Sequence, residues 1–252
     1  AMNAAPGVAS GALPGSMGSV SMRGFHRAVN FLYDGVRMAT SDVGVRNWDA
    51  WSFERIEVIK GPGSAYTGRG STGGSVNLVT KRPGPERLVS TNLAAGTDEA
   101  SRATLDANLP LGDSAAFRLN VLAHDGDVPG RDQVSFSHRG IAPSLAFGID
   151  GMTRVDLSVY HYRTDDVPDY SIPYSRNADN TSAEGPPVNV DRNNFYGLLN
   201  RDFSKTGSDI ATVGIEHQLA NGLTLRNSTR FGESFNDYIV TNPDDSRANV
   251  AN

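Results

Sequence analysis

Glu54-Arg55-Ile56-Glu57-Val58-Ile59-Lys60 reads as a strand that runs into Gly61-Pro62-Gly63-Ser64, and Gly73-Gly74-Ser75-Val76-Asn77-Leu78-Val79-Thr80 reads as a second strand that ends at Lys81-Arg82-Pro83. Six glycines fall between Gly61 and Gly74. A strand followed by such a loop suggests a nucleotide cradle, and Gly63 and Gly68 have the five-residue spacing of a phosphate loop. Arg69, however, stands where that loop needs Lys, and Gly70 where it needs Ser or Thr. The loop also opens into a strand rather than into a helix whose N-terminal amides would complete an anion site. The glycines instead suit tight turns between strands packed in a confined space.

Outward from this segment, Lys81-Arg82-Pro83-Gly84-Pro85 is a stiff hinge and marks a domain junction. Charge divides at the same place. Residues 1–83 hold nine basic and five acidic residues, and residues 84–252 hold fourteen basic and twenty-three acidic ones.

Beyond the hinge the chain reads as about seven strands of roughly ten residues, the length of a tilted membrane-spanning strand. Phe117, Leu119, Val121 and Ala123 alternate with Arg118, Asn120 and His124, and Leu122 is the exception. The same period of two sets Ala103, Leu105, Ala107 and Leu109 against polar neighbours, as it does Val155, Leu157 and Val159, and Ala211, Val213 and Ile215. Pro110 to Ser114, Asp150-Gly151-Met152 and Ala220-Asn221-Gly222 are short connections. His124 to Phe136 and Thr164 to Ser208 are long ones, while Gly96 to Glu99 is short. Short turns on one side and long loops on the other fit an outer-membrane barrel, and a soluble β-meander with one large insertion is the alternative. Tyr170, Tyr174 and Tyr196 of the longest loop either contact a ligand or fold the loop onto itself.

With no cysteine, the chain excludes disulfides, zinc–thiolate sites and thiol nucleophiles. It has no apolar run of the ~18 residues that a membrane helix needs, and no basic-plus-apolar leader at its start. Its 27 glycines oppose a mostly helical fold.

Ser21-Met22-Arg23-Gly24-Phe25, Tyr33-Asp34-Gly35-Val36, the strand Glu54 to Pro62, Tyr66 to Gly68 and the run Gly73 to Pro83 resemble, in order and spacing, the plug of TonB-dependent receptors. Asn194-Phe195-Tyr196-Gly197, Arg201-Asp202-Phe203 and Leu223-Thr224-Leu225-Arg226-Asn227 are similar to the siderophore branch and lean towards its catecholate members. The resemblance implies a mainly β protein: the C-terminal part of a mixed α/β plug at 1–83, then at 84–252 the first ~7 antiparallel strands of a barrel of about 22. The signal peptide, TonB box, first plug half and most of the barrel are expected to lie elsewhere in a longer polypeptide.

The resemblance further implies uptake of a ferric siderophore through the outer membrane of a Gram-negative bacterium, among outer-membrane lipid and driven by TonB with ExbB and ExbD. It implies no enzyme activity, no resident cofactor or metal and no nucleic-acid partner, with iron only as cargo. Apex candidates lie in or directly beside Phe25 to Asn30 and Met38 to Trp51: His26, Arg27, Asn30, Arg37, Arg46 and Trp48, with Tyr174 from the long loop. Arginine pairing and indole stacking suit an anionic tris-catecholate. Trp48 and Trp51 could instead pack the plug core around a short helical turn begun by Asp49. Arg23 and Lys60 are expected to lock the plug to wall glutamates on later strands, although the family usually has Arg where Lys60 stands, and Lys lacks the planar fork. A hydroxamate chelate, cobalamin or a glycan is an alternative cargo, and a secreted β-rich binding protein is the alternative class.

Overall fold

The computed structural model describes residues 6, 8–13, 17–26, 29–38, 49–63, 72–173 and 189–243. Three sheets form. β1 (Val8–Leu13), β2 (Met17–Met22) and β3 (Phe25–His26) make a small antiparallel sheet. β4 (Val29–Tyr33), β5 (Val36–Arg37), β6 (Phe53–Lys60) and β7 (Gly74–Thr80) make a mixed sheet of order β5-β4-β7-β6, with β4 parallel to β7. The glycine-rich segment therefore joins two antiparallel neighbours, β6 and β7.

The remaining strands pair in chain order into one meander: β8 (Leu88–Ala95), β9 (Ser101–Pro110), β10 (Ala115–Asp127), β11 (Ser135–Phe147), β12 (Thr153–Asp166), β13 (Phe203–Gln218) and β14 (Thr224–Ile239). The expected seven strands and their short turns are present. Two long connections are shorter than the sequence suggested, because the ladders extend past the clean alternation. β10 continues to Asp127, and β12 and β13 leave only residues 167–202, the great loop of the sequence reading, between them.

All partner pairs in this sheet join residues of like parity, so even-numbered side chains share one face and odd-numbered ones the other. The odd face is apolar and open: Leu93 and Phe231 are each 75% exposed, and Val159 and Val213 also face outward. A patch of this extent is stable only against lipid or a partner. Further along the strands that face turns charged, with Arg139–Asp125 at 2.8 Å, His161–Asp209 at 2.6 Å and Lys205–Asp165 at 3.1 Å.

Strand tilt can be read from the register. Partner by partner, Leu88 aligns through Asn108, Arg118, Ser144, Ser158 and Thr212 with Arg230. Leu88 begins β8, whereas Arg230 lies six residues inside β14, which begins at Thr224. That stagger is about one residue per strand, which at a rise of about 3.3 Å and a spacing of about 4.8 Å gives a tilt of about 35°, a barrel value.

The even face meets the mixed sheet. Leu122, Tyr160, Tyr162 and Ile210 of the wall share one apolar core with Phe31, Tyr33, Trp51, Phe53, Val76 and Leu78. Leu122, the exception to the alternation, is therefore a core residue on the inner face. Tyr160 is the hub, with ring centroids 5.7 Å from Trp51, 6.0 Å from Tyr33 and 6.5 Å from Phe53. Such pairs contribute about 0.5–1.5 kcal/mol each beyond their buried area. Asp49 caps a 3-10 turn at Ala50–Ser52 and accepts the Trp51 amide at 3.2 Å. The indole then reaches across to the wall backbone at Gly140, where a Cβ would lie 2.4 Å from Trp51 Cζ2.

Candidate functional site

Three layers of contact lie along the inner wall. Nearest the short turns, wall side chains clamp the plug's exit. Arg118 grips Asp106 with two hydrogen bonds of 2.8 Å, and Lys81 Nζ reaches the same carboxylate at 3.1 Å. Arg118 also donates to the Arg82 carbonyl at 3.0 Å, and Arg154 to that of Pro83 at 2.8 Å. Arg82 pairs with Asp156, and Asn108 holds Gly84 through both backbone groups at 3.1 and 2.9 Å. The stiff segment at 81–86 is thus held on several sides by charge-assisted bonds.

The aromatic core forms the middle layer. Above it, towards the long loops, Arg102, His124, Phe136, His138 and Tyr162 face inward from β9 to β12. His124 lies 4.8 Å from Phe136 and 5.7 Å from His138, centroid to centroid, and His138 lies 6.1 Å from Tyr162. Arg102 forks onto Asp49 at 2.6 and 2.7 Å, which ties the plug to the wall beneath this cluster. His138 Nε2 lies 3.0 Å from Asp166. The Tyr162 hydroxyl and Trp51 Nε1 are buried and have no hydrogen-bond partner among the described residues. Aromatic and imidazole faces beside a guanidinium can stack on planar rings and pair with oxyanions.

The loops above are tied together. Arg131 forks onto Asp169 at 2.7 and 2.8 Å, linking residues 128–134 to the great loop. Asp202, 5% exposed, accepts from the Thr241 amide and hydroxyl at 2.8 Å each and from the Leu198 amide at 3.1 Å. Burial pushes its pKa up, but those hydrogen bonds outweigh burial and hold it below the usual aspartate value. The Tyr196 hydroxyl donates to the Asp191 carbonyl at 2.6 Å, so this ring folds the loop onto itself.

Of the residues singled out from sequence, Arg27, Arg46, Trp48 and Tyr174 lie outside the described residues. The backbone of His26 pairs with Ser21. Asn30 is 5% exposed inside β4, opposite Ser75, at the end of that strand farther from the Thr80–Lys81 exit. Arg37 is exposed at the end of β5. Arg23, in a turn with φ +52°, places Nη1 3.6 Å from where a Cβ on Gly61 would stand, so it neighbours Lys60 in space. Neither cation pairs with a carboxylate among the described residues. The sequence reading missed Arg102, His124, His138 and the clamp around Asp106. The polar phase of each strand was the available signal, but it names no partners.

Residues 1–75 match the family model described as TonB-dependent Receptor Plug Domain. Over 231 residues the chain is 43% identical to the "Probable TonB-dependent receptor BfrD" of Bordetella pertussis, covering 91% of this chain and 30% of that protein. The siderophore receptor PiuA of Acinetobacter baumannii is 38% identical over 254 residues, with 99% of this chain and 34% of that protein covered. Its crystal structure superposes with a TM-score of 0.84 at 37% identity, over 96% of this chain and 34% of that one. The catecholate siderophore receptor Fiu of Escherichia coli is 34% identical, over 88% of this chain and 30% of that protein. The chain spans about a third of the length of these curated relatives. A sheet matching the plug family, seated on the polar face of a tilted wall whose other face is apolar, places this chain in the TonB-dependent receptor family, as the part in which the plug passes into the barrel.

Proposed function

We propose that the protein to which this chain belongs takes up ferric siderophores, catecholate chelates first among them, across the outer membrane of a Gram-negative bacterium. Residues 1–83 act as the plug's C-terminal part and residues 84–252 as the start of the barrel. TonB, with ExbB and ExbD, pulls on the plug from the periplasm. The observation that carries this reading is the plug sheet packed on the inner wall, with an aromatic, imidazole and guanidinium cluster facing inward beneath the long loops. Relatives named for siderophores, and in one case for catecholates, support the cargo class.

The chelate binds between the plug apex and the wall. His26, Arg27, Arg37, Arg46, Trp48 and Tyr174 serve it from the plug and the great loop, and Arg102, His124 and His138 from the wall. Arg23 and Lys60 lock the plug to later strands. Iron crosses as cargo, with no resident cofactor and no bond of the chelate made or broken. Growth on single ferric chelates tests this reading in an iron-starved strain with and without the gene. Growth on a catecholate chelate that depends on the gene and on TonB is expected. Rescue only by a hydroxamate chelate, cobalamin or a glycan would overturn the cargo, and uptake unaffected by loss of TonB would overturn the mechanism.

A further inference from the structure

Two loops above the wall close on each other. Residues 128–134 join β10 to β11, and a hydrogen bond of 2.8 Å from the Val128 amide to the Val134 carbonyl shuts their base. The Asp132 amide donates to the Asn193 carbonyl at 2.6 Å, and Arg131 holds Asp169 and the Arg192 carbonyl, so this loop is bound to both arms of the great loop. Asp202 fixes the turn at Leu198. Between the two loops lies a cleft of 590 Å³, lined by Asp132 and Gln133 on one side and by residues 194–200 on the other. That volume is in the range of small-molecule sites and holds about two or three sugar rings.

The chemistry of this cleft differs from that of the inner wall. Among the described residues that line it, Asp132 carries the one charge, and the neighbouring Arg131 is turned to Asp169. Such a cleft does not favour an anion. Asp132, Gln133, Asn194 and Asn200 are exposed, and their side chains make no hydrogen bond among the described residues. Gln133 is held there at φ +65°, a left-handed backbone that side chains of its size rarely adopt. Two rings stand beside these planar groups. The Tyr196 ring is fixed through its hydroxyl on the Asp191 carbonyl at 2.6 Å. The Phe195 ring folds over Gly197, where a Cβ would collide with it and with Asp202 Oδ2. Amides and a carboxylate can donate to and accept from neighbouring hydroxyls, while an aromatic body packs against C–H groups. A saccharide offers both, hydroxyls around its rim and C–H groups on its face.

We propose that this cleft is a binding site for a neutral saccharide of two or three rings. The planar polar groups are set in place before the ligand arrives, which lowers the cost of binding. The site is separate from the inward-facing cluster on β9 to β12 and is independent of which cargo the receptor carries.

The full-length receptor, purified in a detergent without a sugar headgroup, is titrated with maltotriose, cellotriose, chitotriose and lactose and followed by saturation-transfer difference spectra. At least one of these should bind. Asp132→Ala should weaken that sugar about tenfold and Asn194→Ala about threefold, as loss of one charged and one neutral hydrogen bond does. Neither side chain holds the loops together, so the protease sensitivity of residues 128–134 and 189–202 should not change. The same sugar carrying a carboxylate on its terminal ring should bind more weakly, and Asp132→Ala should narrow that difference. Binding of the free sugar identifies a dissolved saccharide as the occupant, and binding only of the lipid-linked sugar in vesicles identifies the glycan of a membrane lipid; either supports the site. No binding in either arm, an affinity unmoved by both substitutions, or a preference for the acidic sugar would overturn it. No chelate enters the assay, so its outcome and that of the growth experiment are read separately.

Discussion

Single atoms set the plug's seat. Gly140 lets the Trp51 indole lie against the wall backbone, and any Cβ there would sit 2.4 Å from the ring. Gly140→Ala is expected to destabilise the seated plug by about 1–3 kcal/mol, as overpacking does. It should lower the thermal midpoint of the full-length receptor in micelles, and adding Trp51→Ala should restore part of the loss, because the two sites share one contact. Asp106 receives two cations, and it and Arg118 are each about seven-eighths buried. Asp106→Asn leaves Lys81 and Arg118 without their counter-charge and should cost about 2–4 kcal/mol, slightly below the range for a fully buried pair. Faster protease cleavage near the 81–86 hinge would register it.

Elements carry the division between inside and outside. The odd face of β12 and β13 is read as facing lipid, so Leu157→Arg should cost about 2–4 kcal/mol in membrane insertion if it lies near mid-depth. Folding of the full-length receptor into vesicles measures this, and an unchanged yield would argue that the face is not lipid-exposed. The great loop depends on Asp202. Because its folded-state pKa is depressed, its contribution is fully present above the ordinary aspartate value. That contribution is lost as pH falls through the lower, folded value. Amide protection factors in residues 189–202, taken relative to the intrinsic exchange rate at each pH, should therefore be high at neutral pH and fall in strong acid, and Asp202→Asn should show the low protection already at neutral pH.

At the scale of the whole molecule, β8 and β14 leave bare edges, since seven strands at this tilt cannot close a cylinder. Expressed alone, the chain is expected to sediment as aggregate without detergent. A monomer that melts cooperatively in plain buffer would contradict the barrel reading. Under the proposed function, further strands would satisfy the same edges and lipid would cover the outward apolar face.

Much of this was legible in the residues. A period of two is a local property, so the alternation at Ala103–Leu109 and Val155–Val159 gave the strands, their faces and the short turns without any tertiary information. The glycine-bracketed strand pair around Lys60 and Thr80 was legible in the same way, and its resemblance to a receptor plug, not its periodicity, named the unit. Strand ends were less legible, because ladders such as β10 continue through Asp125 and Asp127 after the apolar phase has stopped. What the sequence could not supply was partnership across the seam. Asp106 with Lys81, Arg102 with Asp49 and Arg230 with Tyr33 join residues 25 to 197 positions apart, and the docking of one sheet on the other fixes them. Leu122 shows the difference most plainly: along the strand it breaks a pattern, and only the plug resting against it makes it core.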